Sequence, residues 1–161
     1  MRLILALSLA GALSGCLEGI PEAQPLTCRE YALIDQFVSA YDARPENAPL
    51  TEEQIGQLSD HRLVLASALL VNDLCGDFES TTTWGCYKTG VLGGPVIVLR
   101  ADLDVIEEGG YDAVYWHELT HRLSEILTGD GDGEHVGAYW SLQILAGFYP
   151  ANVQCEVPAS P

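Results

Sequence analysis

His117, Glu118 and His121 stand at His-Glu-x-x-His spacing within residues 116–122. Residues four apart on an α-helix share one face, a turn above each other, so both imidazoles can reach a single metal ion. The carboxylate next to the first histidine then points toward the same cleft. There it can take a proton from a water that the ion has already made acidic near neutral pH. With four histidines in 161 residues, the expected number of chance matches to this motif is roughly 0.008, before any helix is required. The chemistry that fits is zinc-assisted hydrolysis, with His117 and His121 as metal ligands and Glu118 as general base.

The motif needs a helix, and its flanks supply one. Asp112 is a candidate N-terminal cap and Gly129 a candidate left-handed residue past the C-terminus. At about 100° per residue, Tyr115, Trp116, Leu119, Leu123, Ile126 and Leu127 fall on one broad apolar arc. His117 and His121 fall on the opposite, mostly polar side with Ser124 and Thr128. A catalytic zinc keeps three protein ligands and one water, so the chain must return with a third donor. Beyond Gly129, residues 130–135 form an Asp- and Gly-rich turn that offers Asp130, Asp132, Glu134 and His135. His135 is preferred. Asp132 suits a helix cap and Glu134 the positive first turn, leaving His135 on a second helix with Tyr139 one turn on. Glu134 stays open as the alternative, in a site of two histidines and one glutamate. For a stabiliser of the developing oxyanion, Tyr139 and Tyr111 are the candidates, each with a packing role as its rival.

With these residues in hand, the chain resembles the zincin metallopeptidases. The similarity runs through residues 116–122, the apolar stretch Val96–Arg100 before them, and a return helix over residues 134–148. It implies an α+β fold in which a small twisted sheet packs on the active-site helix, and a peptide or protein substrate. It also implies that residues 96–99 form the edge strand that binds extended substrate backbone. Two branches do not match. A metzincin would have Gly in place of Ser124 and His in place of Leu127, and a thermolysin-like enzyme would place a Glu well into the second helix. The nearer resemblance is to small zincins in which His follows a short turn, and more loosely to small His-Glu-x-x-His lipoproteins of Gram-negative bacteria.

Residues 1–15 read as an export signal, with one positive charge at Arg2, an apolar run over 3–12 and small residues after it. That run is too short to span a bilayer permanently. Leu13, Ser14, Gly15 and Cys16 resemble a bacterial lipobox, which implies cleavage before Cys16 and lipidation of its sulfur. Leu17, in place of the Asp that retains such proteins at the inner membrane, points to the outer membrane. Residues 16–27, with two prolines and a glycine, read as a tether, residues 28–155 as the metallohydrolase domain and 156–161 as a tail. Four cysteines remain in this exported chain, which suits two disulfides with three possible connectivities. The preferred pairing is Cys75 with Cys86 and Cys28 with Cys155.

A formal charge of −16 argues against nucleic acid and against anionic lipid surfaces, so the lipid is the expected membrane contact and a monomer the expected state. Thr27 opens a packing helix over residues 28–42, and Thr51 with Gln54 forms a capping box for a short helix ending near Leu58. The apolar run over residues 63–71 is ambiguous, with a lean toward strand at its start. His61, just before it, reads as a surface residue rather than a ligand. Residues 79–90 read as a stapled hairpin or loop, and residues 102–108 as a short helical turn ended by Gly109 and Gly110.

Overall fold

The computed structural model describes residues 21–76, 83–90, 93–106, 109–131 and 135. It is an α+β arrangement of five helices and one three-stranded mixed sheet among these residues. The helices are α1 (Cys28–Asp42), α2 (Glu52–Ser59), α3 (Ala68–Cys75), α4 (Leu103–Ile106) and α5 (Gly110–Thr128). The strands are β1 (Arg62–Ala66), β2 (Gly85–Lys88) and β3 (Val96–Arg100), in the order β1-β3-β2.

Local chemistry fixes both early helices. Thr27 and Glu30 form a reciprocal capping box on α1, and Thr51 and Gln54 do the same on α2, each pair satisfying orphan N–H groups. The ambiguous apolar run divides at Ser67. β1 precedes it, while the Ser67 side chain accepts from Leu70 N–H at 3.4 Å and opens α3.

β3 pairs in parallel with β1 and antiparallel with β2, so it is the central strand. This corrects the expectation that residues 96–99 form the edge. Val96, Ile97, Val98 and Leu99 are all buried, and a strand apolar on both faces belongs between two others. Ile97 and Leu99 point into a core built with α1, α2 and α5, and Val96 and Val98 into a smaller cluster with Val71 of α3. The edge strand beside α5 is β2. Gly85 makes that approach possible, because a Cβ there would lie 2.7 Å from Leu99 Cδ2 and 2.9 Å from Val114 Cγ1.

One disulfide, Cys75–Cys86, joins α3 to β2 among the described residues. The other expected partner of Cys28, Cys155, lies outside the described residues, as do the export signal, Cys16 and the tail. Within the stretch expected as a tether, residues 23, 24 and 26 contact the domain. Gln24 bridges Leu63 of β1, with its N–H on the Leu63 carbonyl at 2.7 Å, and Ala23 and Leu26 pack against the two cores.

His61 is buried, not on the surface. Its Nδ1 lies 3.0 Å from the Leu58 carbonyl oxygen and its Nε2 2.9 Å from Tyr115 Oη. Burial lowers its pKa to about 4, opposed by the Leu58 contact. No helix among the described residues is long and apolar enough to cross a membrane.

Candidate metal centre

α5 carries the motif. Its apolar side buries Tyr115, Trp116, Leu119 and Leu123, with Trp116 edge-on to Phe37 of α1 at 5.3 Å between ring centroids. Asp112 is not its cap. The helix starts two residues earlier, behind Gly109 at φ 76°, and Asp112 sits in the first turn, where it holds Arg29 Nε at 2.7 Å. The other terminus is as expected, with Gly129 at φ 81° donating its N–H to Glu125 O at 2.8 Å.

The chain that follows is tied back onto the helix. Ser124 Oγ donates to Asp130 O at 2.7 Å, and Asp130 N–H donates to Thr128 Oγ1 at 3.1 Å. Gly131 then turns its carbonyl toward His121, 2.6 Å from Nδ1. A carbonyl oxygen can only accept, so Nδ1 carries the proton and Nε2 keeps its lone pair for a metal.

His135 completes a triangle. Ring centroids lie 5.0 Å apart for His117 and His121, and 5.1 Å from each of these to His135. His117 Nε2 and His135 Nε2 are 3.2 Å apart, and one ligand atom from each of the three residues lies within 4.8 Å of the others. Two imidazole nitrogens bound to one zinc at tetrahedral angles stand about 3.3 Å apart, so the His117–His135 separation fits the ion. His135 sits in a bend at φ 59°, not on a second helix as expected. A non-glycine residue held there costs on the order of 1–3 kcal/mol, and such strain concentrates at binding sites. Glu134, Asp132 and Tyr139 lie outside the described residues.

Glu118 is 2 % exposed. Its Oε2 has no hydrogen-bond partner among the described residues, while the Tyr87 backbone N–H favours the charged carboxylate. Burial pushes its pKa up to about 8, against the smaller lowering by that N–H. Glu118 and the three imidazoles line one cleft, with a carboxylate oxygen that no described residue bonds.

These residues line a cleft of about 720 Å³, within the range usual for small-ligand sites. Its lining comes from β2, from α5, from residues 129–131, from His135 and from the Cys75–Cys86 bridge. Tyr111 is not part of it. Its hydroxyl donates to Glu30 Oε1 at 2.5 Å, between α1 and α5, so its role as an oxyanion stabiliser is withdrawn.

Tyr87 and Glu125 of the cleft form a trio with Arg122 beside it, which helix patterning alone does not reveal. Tyr87 donates its hydroxyl proton to Glu125 Oε2, while Arg122 Nη1 reaches the same hydroxyl at 3.0 Å and the same carboxylate at 2.6 Å. Glu125 lies one turn past His121 and three residues past Arg122, so helical spacing could have flagged two of the three. Tyr87 comes from a distant strand and gives no such sign. Comparison of the chain with protein-family models, with curated proteins and with solved structures finds no match.

Proposed function

We propose that the protein is a zinc-dependent hydrolase, a metallopeptidase of compact zincin type, exported and held by a lipid on Cys16 at the outer membrane of a Gram-negative envelope. The observation that carries the reading is the meeting of His117, His121 and His135 beside the buried Glu118 carboxylate. His117 Nε2, His121 Nε2 and His135 Nε2 would hold the ion. Zinc bound there would supply Lewis acidity, making a water acidic near neutral pH and polarising a scissile carbonyl.

The chain's own groups do the rest. Glu118 takes the proton from the attacking water on Oε2 and delivers it to the leaving amine, while the Tyr87 N–H steadies the carboxylate. Trp84 O accepts from Arg100 N–H at 3.0 Å, so by antiparallel alternation the backbone groups of Gly85 and Tyr87 face away from β3. An extended peptide would align along that edge, where β2 takes the part first assigned to residues 96–99.

Replacing Glu118 by Gln tests this. Zinc content should stay at one per chain, while hydrolysis of unfolded protein or cell-wall stem peptides falls by roughly 10²–10⁴. Equal zinc in both proteins with no cleavage by either would instead make it a non-catalytic zinc-binding module of the envelope.

A further inference from the structure

We infer that Tyr87 is a positioning residue for the metal centre, its ring forming the wall behind the Gly131 carbonyl that orients His121. The inference rests on the metal-binding reading above and adds a residue that the ligand motif does not contain.

Gly131 is the point of contact. A methyl built on it would lie 3.7 Å from Tyr87 Cδ1 and 3.8 Å from Cε1, so the ring stands about one methyl group away from that short backbone stretch and limits its movement toward β2. The same Gly131 places its oxygen 2.6 Å from His121 Nδ1. A backbone carbonyl can fix an imidazole only if the carbonyl itself is held: Ser124 and Thr128 tie down Asp130 just before it, and the Tyr87 ring stands on the Gly131 side.

The ring, in turn, is held at its tip. Its hydroxyl lies between Glu125 and Arg122, and both belong to α5, the helix that carries His121. Arg122 is anchored at its other nitrogens, donating to Gln57 O from Nε at 3.2 Å and Nη2 at 2.9 Å. The path therefore closes on itself: α5 fixes the Tyr87 hydroxyl, the ring backs Gly131, and Gly131 fixes a ligand of α5. Groups one step behind a metal ligand are commonly worth about 10–100-fold in metal affinity.

The test compares zinc affinity, by chelator competition, for wild type, Tyr87→Ala, Tyr87→Phe and Tyr87→Leu, with far-ultraviolet circular dichroism as the fold check. Tyr87→Ala should bind zinc about 10–100-fold more weakly, and Tyr87→Phe, which keeps the ring but loses the hydroxyl that α5 holds, should fall between it and wild type. If the alanine variant does not fold, Tyr87→Leu decides, with an expected loss of about tenfold at retained apolar bulk. Nitrogen NMR of metal-free protein gives a second readout: wild type holds His121 in the Nδ1–H tautomer, and the Ala or Leu variant populates both. Wild-type affinity and tautomer in the folded variants would overturn the inference while leaving the metal centre intact. A wild-type protein that takes up no zinc would end the metal reading, and this inference with it.

Discussion

His135 Nε2 stands 3.2 Å from His117 Nε2 although eighteen residues separate them, and it reaches that position from a left-handed backbone at φ 59°. The residue is exposed, so burial of an apolar surface does not hold it there. Replacing it by Ala removes one of three ligands and should weaken zinc binding by more than about 100-fold, beyond the usual loss for groups one step behind the metal. Metal-free stability should change little. Titration calorimetry with zinc and urea unfolding of the metal-free protein check the two halves.

Stability should fall with acid because of His61. Its folded pKa, about 4, lies below the usual histidine value near 6.5 because the ring is buried. The unfolded chain therefore binds a proton first as pH drops. The contribution of His61 is fully present above about pH 6.5 and is lost as pH falls toward 4, by up to about 3 kcal/mol. Urea unfolding at steps from pH 7 to 4.5 should give a flatter profile for His61→Gln than for wild type. Parallel profiles would mean that the ring gains its proton in the folded state as readily as in the unfolded one.

Gly85→Ala should be among the costlier small substitutions. The new methyl would stand 2.9 Å from the Val98 carbonyl oxygen, and a paired backbone cannot step aside as a side chain can. A loss of roughly 1–3 kcal/mol is expected, with β2 pushed from α5 and zinc bound more weakly. Chemical denaturation and zinc titration of the variant give both values.

Cutting the Cys75–Cys86 bridge releases a loop closed over a sequence separation of 11. The double variant Cys75→Ala, Cys86→Ala should lose about 2–4 kcal/mol, chiefly by giving freedom back to the unfolded chain. Urea unfolding compares it with wild type. Equal stability would assign the bridge to shaping the end of the cleft alone.

Much of the fold was legible because its signals are local. Thr27, Thr51 with Gln54, and Gly129 each mark a helix end by chemistry contained in a few residues. The pairing of Cys75 with Cys86 was legible from their nearness. His135 as a partner of His117 and His121 followed from what zinc demands and from what the turn after Gly129 offers.

What stayed hidden is non-local. Residues 96–99 were assigned to the edge by analogy, although four apolar residues in succession suit a strand covered on both faces. Ser67, a capping residue inside an apolar run, was the sign that strand gives way to helix there. His61 looked solvent-exposed because nothing nearby in sequence announces Tyr115, 54 residues on, as its partner. Tyr87 could not be found at all without knowing that β2 lies along α5.

The most direct measurement is X-ray absorption at the zinc edge on the purified, zinc-loaded protein. Three converging imidazoles predict one zinc per chain, with three nitrogen ligands near 2.0 Å and one oxygen ligand from solvent. His135→Ala should reduce the imidazole count to two. A first shell containing sulfur, or the same shell in wild type and His135→Ala, would contradict the centre.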